Sequence, residues 1–214
     1  LSLLVWQAIN ASFVPYLFQN IDKKEHNIKQ ISNMLLEVYA VIAVLLTFFA
    51  PEIVKILATK EYYEAIYIMP SIAAGVFFTS YANLYSNLAV YYKESKYVMY
   101  PAIVAAILNL VLNYVFIKIF GYMAAAYTTL FSYIILAILQ VIWSAKVCKE
   151  NNNEINNIYD NKRMLLLAIV TTLVSLMAIP LYSNTIVRYL FIAIGIVVAS
   201  IIVRRILKSE MLKK

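Results

Sequence analysis

The sequence predicts an all-α integral membrane protein, a multi-span helical bundle, and three observations carry that prediction. Of the 214 residues, 64% are hydrophobic and only 14% charged, and mean hydropathy is +0.78. Soluble domains run about 45–50% apolar and about 25% charged, so this chain lacks the charged surface needed to face water on all sides. The apolar residues fall into long blocks, and a spanning helix needs about 20 of them to cross roughly 30 Å of hydrocarbon. Lysine and arginine, finally, concentrate in alternate loops.

The first block, 1–18, has no basic leader and carries Gln7, Asn10 and Pro15, so it reads as part of a helix belonging to a longer chain. The polar run 22–27 closes it. Six full spans follow. The first, 31–49, stops at Ala50-Pro51 because proline does not continue a helix without a kink. Spans 66–92 and 97–120 flank Lys93-Glu94-Ser95-Lys96, and Gly121 separates the third from 122–147. Together 1–147 form one group of helices. An Asn-rich loop, 148–163, reads as a flexible cytoplasmic connection to the last two spans within 164–203, and 204–214 is a basic cytoplasmic tail.

Orientation follows from the basic residues, which concentrate in cytoplasmic loops. With the C-terminus inside, 14 of the 18 Lys and Arg fall on the inner side and four (Lys55, Lys60, Lys118, Arg188) outside. The net charge of +7 therefore reports topology, and a nucleic-acid partner is not needed to explain it. The tyrosines near helix ends, among them Tyr62, Tyr67, Tyr97, Tyr100 and Tyr122, suit an interfacial aromatic belt. Tyr81, Tyr85 and Tyr133 lie mid-span, where stacking on a sugar in a cavity is the sharper reading.

No cofactor, metal or catalytic set is expected. One cysteine (Cys148), one histidine (His26) and three scattered glycines leave no thiolate zinc site, histidine cluster or phosphate-binding glycine loop. The outer acids Glu52, Glu61 and Glu64 share one loop and have no evident partner base, so an enzyme is not expected. Glu37 is the one acid well inside a span; it lies near the inner end, where pairing with Lys24 or Lys29 would relieve it.

Polar and small residues recur along three spans: Ser71, Gly75, Thr79, Asn83, Ser86 and Asn87; then Ala102, Ala105, Ala106, Asn109 and Asn113; then Thr128, Thr129, Ser132 and Gln140. Their three- and four-residue steps draw stripes that serve either as helix-packing faces or as walls of an aqueous cavity. The spacing alone does not choose.

The stretches 50–57 and 61–65, the run 96–129 with Asn109-Leu110-Val111-Leu112-Asn113 and Gly121-Tyr122-Met123-Ala124-Ala125-Ala126, and the opening 10–17 resemble the C-terminal half of polysaccharide-biosynthesis membrane proteins. These are lipid-linked oligosaccharide flippases of the multidrug/oligosaccharidyl-lipid/polysaccharide exporter superfamily. The resemblance implies one lobe of a two-lobe transporter: six full spans and part of a seventh, with an N-terminal lobe of the same protein as partner. It implies flipping of a polyprenyl-pyrophosphate-linked saccharide across the bacterial inner membrane by alternating access. Asn83, Asn87, Asn109 and Asn113 are then the expected cavity contacts, with Tyr81 and Tyr85 stacking on sugar. A multidrug antiporter, a peptidoglycan-precursor flippase of the same superfamily and a non-transporting scaffold for glycan assembly are the alternatives.

Overall fold

The computed structural model describes the backbone of residues 2–21 and 27–211 and the side chains as far as 205. His26, Lys23, Lys24 and the tail lysines Lys208, Lys213 and Lys214 lie outside the side chains described. Among the described residues there is no strand. The helices are α1 (Ser2–Asn20), α2 (Asn27–Phe48), α3 (Ala50–Leu57), α4 (Met69–Tyr91), α5 (Lys96–Phe120), α6 (Ala124–Glu150), α7 (Ile155–Ile158), α8 (Asn161–Leu181) and α9 (Thr185–Met211), with a 3₁₀ segment Lys60–Ile68 before α4. Six of these are long and apolar enough to cross a membrane: α2, α4 with its 3₁₀ lead-in, α5, α6, α8 and α9. The chain is a multi-span, all-α membrane protein.

Side-chain contacts sort the connections into two ends. Phe18 meets Tyr91, Tyr97 meets Glu150, and Glu37 meets Arg163, so the lysine-rich connections gather at one end. Tyr182 reaches Thr47, Arg188 reaches Glu52, and Tyr122 reaches Glu64 at the other. The centre of the bundle is α4, which packs on α6, α8, α2 and α1. Its Phe77, Leu84, Tyr85 and Leu88 are fully buried against Tyr39, Leu36, Leu17 and Tyr159. Gly75 belongs to the α4–α6 seam, where a Cβ would sit 3.2 Å from the Tyr133 ring. Gly121 caps α5 at φ +78°, a left-handed backbone that favours glycine.

Two prolines explain polar residues that hydropathy leaves unexplained. A proline has no N–H, so the carbonyl four residues before it loses its helical partner. Pro51 frees the carbonyl of Thr47, and the Tyr182 hydroxyl donates to it at 2.7 Å. The neighbouring Phe48 carbonyl takes the Arg188 guanidinium at 3.1 Å. Pro101, inside α5, likewise frees the carbonyl of Tyr97, and Gln140 of α6 donates to it at 3.2 Å. Helix resumes at once after the break: α3 begins at Ala50, and the expected outer loop is largely helical.

Three expectations are corrected. The Asn-rich loop is not a flexible connection. It carries α7, whose Ile155 and Ile158 insert into the main core together with Tyr159, and the Tyr159 hydroxyl donates to the Leu84 carbonyl at 2.9 Å. Burial pushes that phenol well above its ordinary pKa. Glu37 pairs with Arg163 of α8 rather than with a lysine of its own helix. Glu52 is not without a basic partner. Both its oxygens accept from Arg188, which is only 4% exposed, and Tyr189 adds a third bond. Burial opposes ionisation of Glu52, but the bonds from Arg188 and Tyr189 outweigh it and hold the carboxyl below its ordinary range.

Candidate functional site

The uncovered faces of the helices differ in chemistry, and that difference locates the candidate site. On α5 the uncovered positions include Ile103, Val104, Ile107, Leu110 and Val111; on α8, Leu165, Leu166, Ile169 and Leu173; on α9, Leu190, Ile194, Val197 and Ile201. These are the side chains a lipid-facing surface requires. The uncovered face of α1 is different. Leu3 and Leu4 are uncovered at its start, but from there it presents Gln7, Ala8, Ala11 and Ser12 at helical spacing. Beside it, α4 leaves a stripe less than buried that runs through Ile72, Ala73, Val76, Thr79, Asn83, Ser86 and Val90. The middle of that stripe is polar. Together α1 and α4 form the polar face of the bundle.

Asn83 is the decisive residue on this face. Thr79 donates to the Gly75 carbonyl at 3.2 Å and Ser86 to the Asn83 carbonyl at 2.9 Å, so both hydroxyls are satisfied within α4. The side-chain amide of Asn83 is half-buried and has no hydrogen-bond partner among the described residues. One turn on, Asn87 donates to the Asn10 side chain at 2.9 Å and ties α4 to α1. An amide left unpaired in hydrocarbon is expensive, so such a group belongs beside water, a ligand or another polar surface.

The other expected contacts lie elsewhere. Asn113 donates to Asn109 at 3.0 Å, Asn109 donates to Thr129 at 3.2 Å, and the Thr128 hydroxyl donates to Asn113. The four side chains form one connected network across the α5–α6 seam. Tyr81 and Tyr85 are inside the bundle, 4% and 0% exposed, with ring centroids 5.0 Å apart. The Tyr85 hydroxyl donates to Asn161 at 2.7 Å, and its ring meets Tyr159 edge-on at 5.2 Å. The structure therefore leaves Asn83 on the open α4 stripe, ties the buried Asn87 to Asn10 of α1, places Asn109 and Asn113 against α6, and buries both tyrosines on the packed side of α4. Gln7 is conspicuous in the sequence, but that it shares a helix face with Ala8, Ala11 and Ser12 went unread, although their spacing along α1 reveals it.

Among the described residues no three His, Cys, Asp or Glu side chains come together as a metal site. Neither α1 nor the stripe on α4 carries a carboxylate. The surface can accept and donate hydrogen bonds but holds no charge of its own.

Residues 19–115 match the MatE family model. The MatE match runs from the end of α1 through α2, α3 and α4 into α5, and so includes the α4 stripe. MatE proteins are membrane exporters rather than enzymes. No curated protein and no solved structure matches the chain.

Proposed function

We propose that the chain is one lobe of a two-lobe exporter that moves a polyprenyl-pyrophosphate-linked oligosaccharide across the bacterial inner membrane by alternating access. The observation that carries this reading is the polar, uncharged α1–α4 face with the unpaired amide of Asn83. In a two-lobe protein that face turns toward an N-terminal lobe and lines the cavity between them, while α5, α8 and α9 face lipid. Amides and hydroxyls suit the many donors and acceptors of a sugar, and the task is to shield a polar headgroup from hydrocarbon rather than to change a covalent bond. The lysine-rich end is cytoplasmic in this reading, as the distribution of basic residues requires.

Of the six candidate contacts, Asn83 stands on this face and is the strongest member of the set, while Asn87 is buried one turn on, bonded to Asn10. Multidrug antiport by the same superfamily fits the MatE match equally. The absence of a carboxylate among the described residues of the polar face favours the saccharide, because binding and release of an organic cation use an intramembrane acid. Glu37 does not supply one on that face, since it pairs with Arg163 across α2 and α8. The deciding experiment is depletion of the protein in its host cell. The flippase reading expects lipid-linked glycan to accumulate on the inner leaflet; unchanged glycan with altered sensitivity to cationic drugs would favour the antiporter.

A further inference from the structure

We propose that the start of α5 and the end of α6 form a binding site for the phosphate of an anionic phospholipid at the lysine-rich end of the bundle. The inference does not depend on what the protein transports. Its centre is the ring of Tyr97, with two ammonium groups from different helices beside it. Lys96 Nζ lies 4.9 Å from the ring centroid and Lys146 Nζ lies 5.7 Å from it. Lys146 also lies 5.2 Å from the Trp143 ring. Trp143 stands 5.2 Å from Tyr97 and 6.0 Å from Tyr100, so three aromatic rings form a wedge beside the cations.

The wedge is held in place from behind. Gln140 donates to the Tyr97 carbonyl freed by Pro101, and the Tyr97 hydroxyl donates to both oxygens of Glu150 at 3.0 Å. The ring is 5% exposed, whereas Lys146 and Tyr100 are exposed and the Lys96 side chain is 50% exposed. Charge also points to an anion. Lys96 is paired with Glu94 at 2.9 Å, but Lys146 has no carboxylate partner among the described residues. Residues 93–97 and 146–150 together carry four lysines against two glutamates.

Helical register then supplies the lipid's other half. Along α6, Ile142 and Ile138 follow Lys146 at four-residue steps. Along α5, Tyr100, Ile103, Val104 and Ile107 follow Lys96 on one side, and all of these are uncovered. Each lysine thus stands at the head of an apolar stripe pointing away from the lysine-rich end. A phosphodiester between the two ammoniums would satisfy Lys146 and share Lys96 with Glu94, while its acyl chains would lie along the stripes. A neutral lipid offers no net charge to this arrangement, so the expected occupant is anionic.

Trp143 gives the test a reporter, because the other tryptophan described, Trp6, is 1% exposed and sealed in the core. The full chain is placed in phosphatidylcholine bilayers containing a minor share of either brominated phosphatidylglycerol or brominated phosphatidylcholine. The signal read is the quenching lost in Trp143→Phe. We expect brominated phosphatidylglycerol to quench Trp143 several-fold more effectively per molecule, part of that preference to disappear in each of Lys96→Gln and Lys146→Gln, and all of it in the double variant. Lys149→Gln, on the next turn, should leave it intact, and Lys96→Arg with Lys146→Arg should retain it. Unchanged quenching of the double Gln variant by brominated phosphatidylcholine confirms that the wedge is still folded against lipid. Equal quenching by the two lipids, or a preference that survives the double Gln variant, overturns the site.

Discussion

Two pairs of asparagines, each spaced by one helical turn, come to opposite ends in this molecule. Asn109 and Asn113 on α5 are bonded to each other and to Thr128 and Thr129 of α6. Asn83 and Asn87 on α4 divide: Asn87 bonds to Asn10 of α1, and Asn83 keeps its amide open on the polar face. Identical spacing therefore leads to a closed packing network in one helix and an unpaired amide in the other. What differs is the neighbour. α5 has α6 and its two threonines opposite, whereas the Asn83 stripe of α4 is left uncovered between its packed neighbours. A polar residue inside a span has a role set by what stands across from it.

The comparison can be tested by removing closed groups first, where the loss in stability should be greatest. Gln140→Leu orphans the Tyr97 carbonyl that Pro101 has already deprived of a partner, and should cost about 1–3 kcal/mol. Thermal unfolding in detergent, followed by helical circular dichroism, reads that loss. Pro101→Ala in the same background should recover part of it, because the new N–H can bond to Tyr97.

Breaking the α5–α6 network with Thr128→Val and Asn113→Leu should cost about 1–2 kcal/mol, given roughly 0.6 kcal/mol for an average interhelical bond in a membrane protein. Transport should then fall only in proportion to folded protein. The outer clamp gives a pH-dependent counterpart. Because the Glu52 carboxyl is held below its ordinary range in the folded protein, its pairing with Arg188 contributes stability above the carboxylate's unfolded pKa. That contribution is lost as pH falls through the depressed value. Glu52→Gln should accordingly be less stable than the parent at neutral pH, with the gap closing in strong acid, as thermal melts across a pH series would reveal. Asn87→Ala, which breaks one bond to α1, should cost only about 0.6 kcal/mol.

The helices were legible in the sequence because each hydrophobic block is long and each break carries charge, proline or glycine. Block 97–120 became Lys96–Phe120, and the stop at Gly121 is a left-handed cap that glycine adopts readily. The Asn-rich segment misled because its polarity outweighed three buried side chains, Ile155, Ile158 and Tyr159, whose spacing is short and whose partners lie on α4 and elsewhere in the core. Glu37 and Glu52 misled for a related reason: their partners, Arg163 and Arg188, are more than a hundred residues away in the chain. Gln140 looked like one more polar residue in a span, and only the structure connects it to the carbonyl left free by a proline in a different helix. For the candidate site, the stripe on α4 was visible as periodicity. The side of it that stays open depends on where α1 and α6 pack, which no local pattern encodes.

The open amide of Asn83 is where the account is most exposed, so Asn83→Leu is the measurement that tests it most directly. The variant should unfold within about 0.5 kcal/mol of the parent, because no side-chain bond among the described residues is removed. Transport of lipid-linked glycan per folded molecule should nevertheless fall severalfold. If transport per folded molecule is unchanged while stability is lost, Asn83 is a packing residue, and the α1–α4 face is not the wall of a substrate cavity.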